Sequence, residues 1–258
     1  MRASVIVLVW NGMADLAECL TALHAQESAD LEIIADGTFL VSSANAVSSE
    51  ALIKAALPYL GGADDARAGE PEEREGPEGG GLEVLIGGLG LGYALDVALA
   101  EPRVRRVTVA EYEPLIVDWF RVYGEGRAAR LAAGEAAGRA RVVAADVADV
   151  LREAAGEGGS SHGVGTGPFD LVALDTDNGP DWLVREANAG LYDETGVALA
   201  RTALRPGGVA VFWSPERYDW FAGRLAAAFA EVQEATVHDE IGRHRHAYTM
   251  YVALRGVD

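Results

Sequence analysis

Residues 82–93, LEVLIGGLGLGY, decide the fold. The first five are a short apolar run rich in strand formers. They lead straight into GGLGLGY (87–93), where Gly88, Gly90 and Gly92 stand at alternate positions. The next stretch, YALDVALAE (93–101), spaces its apolar residues as a helix does. Glycines between strand and helix permit a tight turn and let a ligand come close to the backbone. A second strand, RVTVA (106–110), ends at Glu111, 19 residues beyond Gly92. An acid at that strand end suits hydrogen bonds from ribose hydroxyls. A tight turn beside a surface glutamate is the plainer explanation. The joint occurrence of strand, loop, helix and acid favours the ligand.

The same alternation continues downstream. PLIVDWFRVY (114–123) opens with proline where a helix has its first residue. ARVVAA (140–145) is a third strand and DVADVLREAA (146–155) an amphipathic helix. FDLVALD (169–175) is a fourth strand. GGVAVFW (207–213) is a fifth, after the turn-like LRPGG. ERYDWFAGRLAAAFAEV (216–232) reads as a helix. EATVHDE and AYTMYVAL read as two antiparallel strands joined by IGRHRH. Alternating strands and helices imply a mostly parallel sheet covered on both faces. In such a sheet the carboxyl ends of the strands share one crevice. Gly88, Glu111, Asp146 and Asp175 would all border it. Asp146 also suits a plain helix cap, and the two roles are compatible.

Upstream, residues 61–81 are mostly glycine, proline and acid with no large apolar side chain, and read as a linker. The expected division is a small module over 1–60, a linker over 61–81 and a cofactor-binding domain over 82–258. Asp36-Gly37 between two strand-like runs is a hairpin signal. The single cysteine, Cys19, excludes an internal disulfide and a cysteine metal cluster. A formal charge of −19, from 40 acids and 21 bases, disfavours nucleic acid and anionic membranes. The apolar run 5–10 is too short for a membrane span or a signal segment. These features give the expectation of a cytoplasmic protein without nucleic-acid or membrane partners.

Five segments in order, GGLGLGY, VTVAEYEPLIVDW, VVAADVADVL, FDLVALDTDNGP and LRPGGVAVFW, resemble the spermidine synthase family. That family lies within the S-adenosylmethionine-dependent methyltransferase superfamily. The resemblance covers about residues 82–254. It implies a Rossmann-like methyltransferase fold: a seven-stranded, mostly parallel sheet with a C-terminal antiparallel hairpin, plus a small N-terminal α/β module. It implies a cofactor set of Gly88, Gly90, Gly92, Glu111, Tyr112, Asp146 and Val147. Glu111 would hold the ribose and Asp146 would face the adenine. It implies S-adenosyl-L-methionine, or its decarboxylated form, as cofactor, and it is compatible with a homodimer.

The sequence departs from the family at the acceptor side. The family's Tyr-His-Glu segment is replaced by SSEALIKAAL, where Glu50 is the one candidate equivalent. The family's Asp-x-x-Asp-Pro reads Asp175-Thr176-Asp177-Asn178-Gly179-Pro180. Asp175, Asp177 and Asn178 are the candidate catalytic residues. A carboxylate there orients an amine or phenol and accepts its proton. Trp182, Tyr192, Trp213 and Tyr218 are candidate pocket walls, though aromatics usually belong to the core. His238, His244 and His246 read as residues of a solvated turn, and no metal site is expected. Residues 4–23 resemble the opening of family 2 glycosyltransferases, over about 25 residues only.

Three functions follow. The first is methylation of a small nucleophilic acceptor, an amine among the candidates. The second is aminopropyl transfer to a polyamine. The third is a non-catalytic binding or scaffold protein with the same fold.

Overall fold

The computed structural model describes residues 3–9, 29–35, 38–42, 46–61, 80–157, 168–176, 179–181, 183, 185–241 and 244–257, with backbone alone up to 42 and over 240–245. Asp177, Asn178 and Trp182 lie outside the described residues, as do Cys19, Asp36-Gly37 and nearly all of the linker 61–81.

Three N-terminal strands form a small sheet: β1 (Ala3–Val9), β2 (Ala29–Ala35) and β3 (Thr38–Ser42). β1 and β2 are parallel, and β2 and β3 antiparallel. Helix α1 (Ala46–Lys54) follows. Leu52 and Ile53 of α1 are fully buried and belong to the same core as Val84, Ile86 and Val211 of the large sheet.

The large sheet begins with β4 (Leu82–Gly87), where Val84, Leu85 and Ile86 are all buried. A strand covered on both faces needs such an uninterrupted apolar run. Then come α2 (Tyr93–Ala100), β5 (Val104–Glu111), α3 (Pro114–Tyr123), α4 (Glu125–Ala136) and β6 (Ala140–Ala144). Next are α5 (Val147–Ala154), β7 (Phe169–Leu174), the short turn α6 (Ala189–Tyr192), α7 (Glu194–Thr202) and β8 (Leu204–Ser214). Helix α8 (Asp219–Ala228), β9 (Glu231–Ile241) and β10 (His244–Leu254) complete the domain.

The strand order is β6-β5-β4-β7-β8-β10-β9. β4 pairs in parallel with both β5 and β7. The chain therefore moves outward from β4 in one direction and then in the other, which opens a crevice at the carboxyl ends of β4 and β7. β10 runs antiparallel to β8 and β9, giving the expected C-terminal hairpin.

Two apolar clusters cover the faces of this sheet. One joins α1, α2, α3 and α4 through Leu52, Leu95, Phe120 and Leu131. The other joins α5, α7 and α8 through Leu151, Val197 and Phe221. Phe221 meets Phe212 and Tyr251 edge to face, at 5.3 Å between ring centres in each case. Such contacts fix side-chain orientation as well as burying area.

Several boundaries differ from the sequence reading. LRPGG belongs to β8, because Leu204 already pairs with Phe169 and the Gly207 amide donates to the carbonyls of Arg255 and Gly256. The last helix is shorter than 216–232. Phe229 turns extended, and β9 begins at Glu231. His244 and His246 stand within β10 and not in a turn, and His238 stands within β9. The Tyr192 side chain is core, 5.5 Å from Phe221.

Candidate functional site

The glycine loop is shaped by backbone angles that glycine alone adopts freely. Gly88 has φ +94°, and a Cβ there would stand 2.5 Å from the Asp175 carbonyl oxygen. The loop and the end of β7 are therefore as close as backbone permits. Gly92 has φ +75°, and a Cβ there would strike the Phe120 ring at 2.3 Å. Its role is close packing of α2 on α3, a reason distinct from ligand approach. Gly90 has φ +49°.

Glu111 ties this loop down. Its Oε2 accepts the Leu89 amide at 2.8 Å, and its Oε1 accepts the Glu113 amide at 2.9 Å. Only 9% of the residue is exposed. Burial pushes its carboxyl above the usual glutamate range, while the amides of Leu89, Glu113 and Gly90 pull it back. Each carboxylate oxygen has two lone pairs, so acceptor capacity toward the crevice remains. Sequence reading finds Glu111 as a ligand acceptor. It does not reveal that the same carboxylate organises the loop.

Asp146 caps α5: its Oδ1 accepts the Ala148 amide at 3.0 Å. Its Oδ2 accepts from Arg185 Nη1 at 3.2 Å. The Arg185 guanidinium also lies over the Tyr112 ring, 3.3 Å from its centre. Tyr112 is 52% exposed. Val147 is buried and packs where a Gly87 side chain would go, 3.0 Å from that Cβ position. Val147 is thus also a core residue.

On the other side of the crevice, the Asp175 amide donates to the Gly87 carbonyl at 3.0 Å, continuing the sheet. The Ser49 hydroxyl of α1 donates to Asp175 Oδ2 at 3.2 Å. The helix of the N-terminal segment therefore reaches the carboxylate at the end of β7. Glu50, the residue expected there, instead pairs with Lys54 at 2.5 Å on the outer side of α1. Serine was the missed residue. In SSEALIKAAL, a single residue step, about 100° around the helix, separates Ser49 facing the crevice from Glu50 facing solvent, and no periodicity marks which is which.

Arg127 of α4 was missed as well. Its Nε donates to the Leu91 carbonyl of the glycine loop at 2.8 Å, with its guanidinium 4.3 Å over the Tyr93 ring. Trp213 is half-buried against Tyr248 at 5.3 Å. Burial, with Glu216 beside it, pushes the Tyr218 phenol up to about 12.

The order of strands, the switch point between β4 and β7 and the closing hairpin define a Rossmann-like fold of the methyltransferase class. No family model matches the chain, and no curated protein matches it in sequence. Among solved structures, a spermidine synthase in complex with the transition state analogue AdoDATO is similar to it. The TM-score is 0.55 at 19% identity, over 86% of this chain and 64% of that one. Spermidine synthase from Thermotoga maritima gives the same values. Human methyltransferase-like protein 13 in complex with SAH gives a TM-score of 0.52 at 20% identity, over 81% of this chain and 82% of that one. The chain spans less than two thirds of the spermidine synthases it matches. At these identities the likeness is one of fold, a fold shared with transferases. Among the described residues, no helix is long and apolar enough to cross a membrane.

Proposed function

We propose that this chain is a transferase that binds S-adenosylmethionine in the crevice at the carboxyl ends of β4–β7 and methylates a small nucleophilic acceptor. The observation that carries the reading is the convergence of Gly88, Glu111, Asp146 and Asp175 on that crevice. Ser49 hydrogen-bonds to Asp175 across the acceptor side.

The residues fit such a cofactor. Gly88 brings the loop against the end of β7, where a Cβ would stand 2.5 Å from the Asp175 carbonyl oxygen, so the loop and Asp175 border the same crevice. The backbone at Gly88 and Gly90 would lie along the amino-acid portion. Glu111 would offer its remaining lone pairs to the ribose. Asp146, Tyr112 and Val147 would surround the adenine, with Asp146 accepting from its amino group. When bound, the cofactor supplies a methyl group activated by a positively charged sulfur.

The protein has mainly to align the acceptor and manage its proton. Asp175 accepts a hydrogen bond from the acceptor's N–H or O–H and takes up the proton as the nucleophile attacks. Ser49 holds the carboxylate in place through Oδ2. Asp177 and Asn178, next along the chain, are assigned to the same acceptor region. The partner is then a small molecule, neither nucleic acid nor membrane. Aminopropyl transfer from decarboxylated S-adenosylmethionine is the second reading, favoured by the same carboxylate, since it suits a cationic amine.

Calorimetric titration with both cofactors separates these readings. Preference for S-adenosylmethionine supports methyl transfer, and preference for the decarboxylated form supports aminopropyl transfer. Binding of neither overturns the proposal. Binding of either without transfer to any acceptor points to a scaffold. Asp175→Asn is expected to spare binding and suppress turnover.

A further inference from the structure

Arg185 precedes the single helical turn Glu186–Asn188, in the stretch between β7 and α7. Its guanidinium makes two contacts at the crevice. One face lies on the Tyr112 ring at 3.3 Å, and Nη1 donates to Asp146 Oδ2 at 3.2 Å. The other Asp146 oxygen is committed to the Ala148 amide as the helix cap. Each oxygen keeps a second lone pair, but Arg185 takes the acceptor position of Oδ2 that lies beside the Tyr112 ring. A spacing of 3.3 Å is one aromatic layer, so no second planar group fits between guanidinium and ring.

An adenine and a guanidinium present the same features here. Each has a flat face for the tyrosine and an N–H edge for the carboxylate. We infer that Arg185 competes with the cofactor's adenine for Tyr112 and Asp146, and so sets the affinity of the cofactor site. The inference rests on the cofactor reading above. It adds a residue that acts against binding, where that reading names only residues that act for it.

The competition is mild. The two side chains of the ion pair are 31% and 24% exposed, so water and salt weaken it. The stack sits on a half-exposed ring and is similarly modest. If the closed arrangement holds about nine-tenths of the molecules, apparent affinity falls roughly tenfold, because only the open fraction is competent to bind. Arg185 therefore acts as an affinity-setting residue and not as a block.

The test is calorimetric titration of the wild-type chain and Arg185→Ala with adenosine and, separately, with S-adenosylmethionine. The variant is expected to bind both roughly tenfold tighter. Wild-type affinity is expected to rise with added salt, as the ion pair is screened, and the variant's is not. A lost structural contact does not tighten binding, so the sign itself distinguishes competition from support. Equal or weaker binding by the variant, with the wild type binding, overturns this inference and leaves the cofactor reading standing. Binding of neither ligand to either protein overturns both.

Discussion

Replacing Glu111 by alanine is expected to destabilise the protein in the absence of any ligand. The carboxylate accepts the amides of Leu89 and Glu113, at 2.8 and 2.9 Å, from a position only 9% exposed. Alanine leaves two N–H groups without their acceptor, that of buried Leu89 and that of half-buried Glu113. An orphaned buried donor costs about 1–3 kcal/mol, and since the Leu89 bond is buried but the Glu113 bond only part-buried, the two together cost about 2–4 kcal/mol. Relief from burying a carboxylate, the cause of its raised pKa, offsets part of this. A net loss of about 2 kcal/mol follows, or roughly 4–8 °C in Tm for a chain of this size. Thermal unfolding followed by far-ultraviolet circular dichroism, without cofactor, measures it. A residue serving ribose alone leaves the Tm of the ligand-free protein unchanged. A shift within about 1 °C would refute the role assigned to Glu111 in organising the loop, whatever happened to cofactor affinity.

Three further outcomes are expected. Gly88→Ala forces a side chain into φ +94° and against the Asp175 carbonyl. The conformation alone costs about 1–2 kcal/mol, and both Tm and cofactor affinity are expected to fall; an unaltered affinity would show that the loop does not border the ligand. Leu52→Ala, at a fully buried position of α1, is expected to lower stability by about 2–5 kcal/mol in urea unfolding of the whole chain; a neutral result would mean that α1 contributes little to the common core. The last concerns pH. Burial raises the Glu111 carboxyl above its unfolded value of about 4.3, so its contribution to stability is full below that value and is lost as pH rises through the raised one. Glu111→Gln stays neutral throughout, so the Tm gap between wild type and variant should move in the variant's favour as pH climbs over this window; a gap independent of pH is the contrary result.

The parts of the molecule that sequence reveals are those with a local physical signature. β4, β7 and the loop between β4 and α2 carry continuous apolar runs and alternating glycines, which few other arrangements accept. Pro114 and Asp146 mark helix starts because each fits one helical position well. Helix α4 carries no such mark. It is rich in alanine, glycine and charge, and its one large apolar residue, Leu131, is buried. The contacts made by Ser49, Arg127 and Arg185 are long-range. Ser49 meets a residue 126 positions away, and Arg185 one 39 positions away. Nothing in the neighbouring sequence records a partner brought in by the fold of the sheet.

β10 occupies an inner place in the large sheet, between β8 and β9, although it is the last of the strands in chain order. During synthesis β8 therefore emerges with one side unpaired, and its neighbour there is made only after α8 and β9. Val209 and Val211, fully buried in the finished sheet, wait in a strand edge open to other chains. The acidic residues of β9, made in that interval, lend the nascent chain like charges that repel its copies until the closing strand arrives.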